Sequence, residues 1–200
     1  MRLVLAAAAG LLAVVAVPFL VSSSAADDGG AKPEYVGAET CKGCHYQQHK
    51  IWKKTKLAKA MDSLKPTAES DAELFASKKA AGLDPAQDYS ADEKCVGCHT
   101  TGYGKETGYP ADATKDAERA KLLAGVQCEA CHGPGSLYAK HKTEAKEKDP
   151  EAKFTFEDLA PLGLVKPDAA NCATCHNENS PFKKEFKFED EKTNVHTKKK

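Results

Sequence analysis

The sequence predicts a mainly α-helical chain with long irregular loops and little or no sheet, organised around four copies of one short motif. Three observations predict it. No run reads as sheet-forming, the tail from Phe182 to Phe188 alternating only weakly. Helix-forming segments are cut repeatedly, at Pro66, Gly82, Pro150, Pro161, Gly163 and Pro167. Finally, a Cys-x-x-Cys-His pattern occurs at Cys41/Cys44/His45, Cys95/Cys98/His99, Cys128/Cys131/His132 and Cys172/Cys175/His176, using all eight cysteines. The intervening segments, residues 46–94, 100–127 and 133–171, are unequal in length, so the motifs are not a tandem array of identical modules.

A Cys-x-x-Cys pair alone fits a zinc half-site, a redox disulfide or a structural bridge. Histidine directly after the second cysteine, in every copy, is instead the attachment signature of c-type haem. Two cysteine thioethers fix the porphyrin edge and the adjoining histidine reaches the iron. Four covalently bound haem c groups follow. Residues 27–200 are too few to cover four haems and also build an aliphatic core, so the haems must be the core of a compact multihaem cytochrome c.

Along the chain, Asp27 to Lys32 reads as a polar linker. Residues His45 to Leu64 read as a helix stopped by Pro66, with Trp52 packing either on a haem or in an ordinary core. Ser70 to Glu73 resembles a capping box, opening a helix that Gly82 closes. Three glycines and two tyrosines make Thr100 to Pro110 an irregular loop beside the second motif. Ala111 to Ala124 is helical by composition. Gly133-Pro-Gly135 turns the chain into a helix over Ser136 to Lys148. The approach to the fourth motif is irregular, and the lysine-ended tail is a solvated end.

The first residues read as an export signal. Met1-Arg2 is a positive start, Leu3 to Val21 an apolar run, and Ser22 to Ala26 a small-residue cleavage region. The expected organisation is therefore a signal peptide over residues 1–26 and one tetrahaem domain over 27–200, periplasmic or otherwise exported. An uncleaved anchor is the alternative, because the apolar run is nearly long enough to span a bilayer; after cleavage no membrane insertion is expected. The chain has 29 Lys plus Arg against 29 Asp plus Glu, a balance that leaves no nucleic-acid footprint.

Seven histidines are present, and four are spoken for as proximal ligands: His45, His99, His132 and His176. His49, His141 and His196 remain for four distal positions, with Met61 the one methionine outside the leader. Either Met61 supplies the fourth, or one iron lacks a strong sixth ligand. His49 lies one helical turn from His45 and so also fits a residue that merely flanks the first haem.

Beyond the motifs, several stretches resemble the tetrahaem cytochrome c-554 family. They include Trp52-Lys-Lys-Thr55, Ala58-Lys-Ala-Met-Asp-Ser-Leu-Lys-Pro66 and Leu83-Asp-Pro-Ala-Gln-Asp-Tyr89. Others are Cys95-Val-Gly-Cys-His-Thr-Thr-Gly-Tyr-Gly104, Gly125-Val-Gln-Cys-Glu-Ala-Cys-His-Gly-Pro-Gly135 and Phe186-Lys-Phe188. The resemblance implies His45 and His141 on the haem of Cys41/Cys44, and His176 and His196 on that of Cys172/Cys175. It implies His99 alone on the haem of Cys95/Cys98, whose open side would lie near Pro181 and Phe182. On the third haem, of Cys128/Cys131, the family's distal histidine falls at Leu57, which cannot bind iron. Met61 or His49 could substitute, or that iron could be open. Much of the family's segment after the fourth motif is missing.

The function expected is electron transfer: a carrier relaying electrons between periplasmic redox proteins, a donor and an acceptor. The alternative is an oxidoreductase acting on a small nitrogen species, such as nitric oxide, at the open iron beside His99. No acid–base residue is evidently placed there for turnover, which favours the carrier.

Overall fold

The structure is a computed structural model describing residues 30–182 and 186–191. The chain divides into residues 1–30 and a compact unit, Ala31–Lys200. The expected signal peptide and His196 lie outside the described residues, as do residues 183–185.

The described residues are helical with no sheet, as the sequence predicts. Ten short α-helices run in order: α1 Ala38–Lys42, α2 Tyr46–Trp52, α3 Ala72–Ala80, α4 Glu93–His99, α5 Ala117–Leu123, α6 Cys128–His132, α7 Ser136–Lys148, α8 Phe156–Leu159, α9 Ala169–Ala173 and α10 Phe188–Glu191. Two 3-10 turns, Met61–Leu64 and Ala160–Leu162, complete the set. The one extended pairing among the described residues is an isolated antiparallel bridge between Thr100 and Ala124. No described helix is long and apolar enough to cross a membrane.

Where the helices differ from expectation, side chains and tertiary pairing have overridden propensity. The helix expected over His45 to Leu64 ends at Trp52. There Thr55 Oγ1 donates to the Trp52 carbonyl at 2.7 Å, a local bond that competes with helix continuation. The freed backbone is then used elsewhere: Val126 N donates to the Leu57 carbonyl, and Trp52 Nε1 to the Val126 carbonyl at 2.8 Å. α3 is capped by Asp71, whose side chain accepts from Leu74 N, one residue on from the expected Ser70. α5 is half its expected length, because Asp112 takes Thr114 N in a turn and Asp116 caps the helix at Ala117. α7 spans the expected residues.

Ordinary apolar packing is sparse. Leu64, Tyr89 and Val96 form one cluster, and Tyr109, Ala120 and Leu123 another, with Met61 and Tyr103 packed against both. Around them the interior is held by polar hubs. Thr101 is fully buried; its hydroxyl donates to the Gly125 carbonyl and accepts from Gln127 N. Gln127 in turn accepts from Ala38 N and donates to the Leu122 and Ala124 carbonyls. A buried hydrogen bond to a satisfied amide is worth keeping mainly because breaking it orphans its partner. These hubs tie the start of α1, the loop after α4 and the start of α6 into one junction.

Candidate haem centre

Each Cys-x-x-Cys-His motif sits on a short helix or its end. In the first, His45 N donates to the Cys41 carbonyl at 2.9 Å; in the fourth, His176 N donates to the Cys172 carbonyl at 2.9 Å. The helical turn brings the two thiols and the following histidine to one side of the backbone, as attachment of one porphyrin requires. None of the eight cysteines is in a disulfide.

The motifs are interleaved in space. The Cys41 and Cys128 thiols are in hydrogen-bonding contact, as are those of Cys98 and Cys175. Cys131 lies close enough to Cys172 and Cys175 to feel their charge. Burial pushes the Cys131 thiol up to about 11, and burial together with Cys175 does the same to Cys98. Cys41 is raised by its bond to Cys128, which is lowered by the same bond.

The polypeptide between motifs explains the contacts. Glu129, inside the third motif and 1% exposed, accepts from Val36 N, Gly37 N and Gly135 N at 2.7–3.0 Å. It pins the entry to α1 against α6, and so Cys41 against Cys128. Burial pushes the Glu129 carboxyl up from its ordinary value, while the three N–H groups and Arg119 pull it back. Asn171, whose backbone N donates to the α9 cap Asp168, donates from Nδ2 to the Ala130 carbonyl and ties the fourth motif to the third.

The histidines have distinct surroundings. His99 Nδ1 lies 2.7 Å from the Ala60 carbonyl and 3.3 Å from Ser63 Oγ. A carbonyl at Nδ1 fixes the proton there and leaves Nε2 as the metal-facing nitrogen. His176 stacks on Phe186 at 4.2 Å and 17°. The His132 carbonyl accepts from Val165 N at 2.8 Å. His45 opens onto a cleft of about 550 Å³ that also exposes Cys41, Cys44, Tyr138 and Ala139, the size and apolar character of a small-cofactor site.

Of the distal candidates, His49 is 4% exposed beside Trp52. Its Nε2 stands 3.1 Å from Glu39 Oε1, within ion-pair distance but out of hydrogen-bonding alignment, so the nitrogen is buried without a hydrogen bond. Met61 follows the carbonyl that holds His99 and packs into the apolar clusters around Leu64 and Tyr109. His141 packs edge-on against Phe154 at 5.7 Å and is not part of the cleft lining. Leu57 contributes its carbonyl to Val126. Phe182, expected near an open iron, is 40% exposed. Glu129, Gln127 and Thr101 were not marked out by the sequence; a carboxylate between two motif cysteines, flanked by Gly-Pro-Gly, was their one available signal.

The residues present thus fit haem c: unpaired thiols in the motif arrangement, a cleft of suitable volume, a histidine with its far nitrogen anchored, and a buried imidazole nitrogen lacking a hydrogen bond. Comparison with known proteins agrees. Residues 40–133 match the family model described as cytochrome c554 and c-prime. Cytochrome c-554 of Nitrosomonas europaea is 37% identical over 180 residues, 88% of this chain and 71% of that protein. A C-type polyheme cytochrome, OmcB, of Geobacter sulfurreducens is 30% identical over 86 residues, 43% of this chain and 9% of its own. The solved structure of reduced cytochrome c554 from Nitrosomonas europaea superposes with a TM-score of 0.61 at 36% identity, covering 84% of this chain and 80% of that one. The chain belongs to the cytochrome c-554 family, the tetrahaem c-type cytochromes whose haem c is covalently bound.

Proposed function

We propose that this protein relays electrons between redox proteins of the periplasm along four haems in the spatial order first, third, fourth, second. The observation that carries this reading is the interleaving of the motifs: Cys41 meets Cys128, Cys131 neighbours Cys172 and Cys175, and Cys175 meets Cys98. Attachment sites in such contact form a continuous series whose ends belong to the first and second motifs. Bound haem supplies one-electron chemistry, with its potential set by axial ligands and burial. The chain's part is to place the groups and hold their ligands.

In this reading each cysteine pair, Cys41/Cys44, Cys95/Cys98, Cys128/Cys131 and Cys172/Cys175, attaches one haem. His45, His99, His132 and His176 would be the proximal ligands, and the family resemblance gives His196 to the fourth haem as its distal ligand. For the third, His49 is better placed than Met61. Its nitrogen is buried without a hydrogen bond on a helix whose Trp52 donates to the Val126 carbonyl, two residues before the third motif, whereas Met61 is consumed by the apolar clusters. The leader of residues 1–26 would deliver the chain to the compartment where such attachment occurs. Mass spectrometry of the exported protein should give a chain beginning near Asp27 plus four haem masses; bound zinc with no haem would defeat the assignment.

A second reading, a small-nitrogen oxidoreductase at the second haem, is favoured by one observation. Met61, the one methionine outside the leader, packs into the apolar clusters around Leu64 and Tyr109, which leaves no other methionine to close the open face. The reduced holoprotein is expected to bind carbon monoxide or nitric oxide at one iron of four. Sustained nitric oxide consumption with an electron donor would put the enzyme ahead of the carrier, and no gas binding at any iron would leave a plain carrier.

A further inference from the structure

We infer that Ser63 is a positioning residue for the second haem: its hydroxyl competes with His99 for the Ala60 carbonyl and so sets how strongly His99 donates to that iron. The inference rests on the attachment reading above and concerns a residue that acts through the proximal ligand. Three donors converge on one oxygen. His99 Nδ1 lies 2.7 Å from the Ala60 carbonyl, the Ser63 hydroxyl donates to it at 2.6 Å, and Ser63 N donates to it at 3.2 Å. A carbonyl oxygen has two lone pairs, so the three hydrogen bonds share its acceptor capacity. The local sequence explains the crowding. Ala60 precedes the 3-10 turn Met61–Leu64, and a serine three residues after a carbonyl in such a turn bonds back to it.

The turn is not free to adjust. Leu64 shares a buried cluster with Tyr89 and with Val96, which lies inside the second motif. Tyr89 N donates to the Leu64 carbonyl at 2.9 Å, and the buried Lys78 Nζ donates to the Lys65 carbonyl at 2.6 Å. Turn and motif are therefore packed as one unit, which presents the Ala60 carbonyl to His99 at a fixed place. Removing the Ser63 hydroxyl should change the strength of the histidine's hydrogen bond and leave the ring where it is.

A carbonyl accepting from Nδ1 makes an imidazole more basic at its metal-facing nitrogen. That favours ferric iron and lowers the potential. The Ser63 hydroxyl draws on the same oxygen, weakens the effect and holds the potential up. Ser63 Oγ also lies 3.3 Å from His99 Nδ1, where as an acceptor it would act in the opposite sense. The distances decide: 2.6 Å onto the carbonyl is a short hydrogen bond, and 3.3 Å onto the ring is a long one.

The test uses the full-length holoprotein and its Ser63→Ala and Ser63→Thr variants. Redox titration followed by electron paramagnetic resonance reads the irons separately, and resonance Raman of the reduced protein reads the iron–histidine stretch of a five-coordinate iron. Ser63→Ala should lower one midpoint potential of four and raise that stretching frequency, with the other three potentials unchanged. Ser63→Thr keeps the hydroxyl and should stay with the parent. Four unchanged potentials in Ser63→Ala overturn the inference, even with a lowered melting temperature, because a hydroxyl that served only the turn would give no more than that. A raised potential overturns it too, since Oγ would then act on the ring as an acceptor. Where the reduced parent gives no iron–histidine band, the potentials decide alone. Fewer than four thioether-bound haems in the parent, counted by mass, would instead defeat the attachment reading on which this one rests.

Discussion

Glu129→Ala should destabilise the protein by about 3–9 kcal/mol, since it leaves three backbone N–H groups buried without an acceptor at roughly 1–3 kcal/mol each. The donors come from two segments far apart in the chain, Val36 with Gly37 before α1 and Gly135 before α7. Losing the carboxyl therefore loosens the entry to α1, the Gly-Pro-Gly turn and the start of α7 together. Chemical denaturation of the holoprotein would measure it. Glu129→Gln should fall between, because one oxygen still accepts while the amide turns donors toward donors. A Glu129→Ala protein within about 1 kcal/mol of the parent, the ordinary net worth of a single hydrogen bond, would show that water reaches the junction and replaces the carboxyl.

Gly108→Ala is the second large effect, and its cause is steric. A Cβ at residue 108 would fall on the Gly102 carbonyl, backbone against backbone, with no flexible side chain to yield. Gly102 itself takes φ +72° and lies against the Tyr35 ring, so it cannot retreat easily. Overpacking of this kind costs about 3 kcal/mol. The loop is held at both ends, by Tyr109 N on the Thr101 carbonyl and by the Arg119 guanidinium on the Thr107 carbonyl. Opening it should move Tyr103, which lies against Gly97 inside the second motif. The expected signature is a lowered melting temperature with a spectral change confined to the haem of the second motif. An unaltered melt would mean that the two glycines are not packed so closely.

Much of this was legible in the sequence, for physical reasons. A Cys-x-x-Cys-His motif is a local chemical statement, so the haem count and the helical class follow without any tertiary information. α7 was legible because its residues favour helix and a turn and a proline bracket it. The end of α2 was not, because Thr55 and the distant Val126 redirect backbone that would otherwise remain helical. Glu129 looked like a surface charge until its three donors were located.

The contacts between thiols of different motifs carry a consequence for biogenesis. A chain that reached this fold before modification would hold Cys41 against Cys128 and Cys98 against Cys175, each pair drawn from two separate motifs. Any oxidant would then have a ready substrate, and a cross-link between motifs would consume one anchoring sulfur from each. Thioether formation removes that hazard permanently, since a thioether has no thiolate to exchange. Modification of the extended chain, before it closes into this fold, avoids that hazard. The same closeness that would carry electrons in the finished molecule makes the unmodified one prone to lock itself shut.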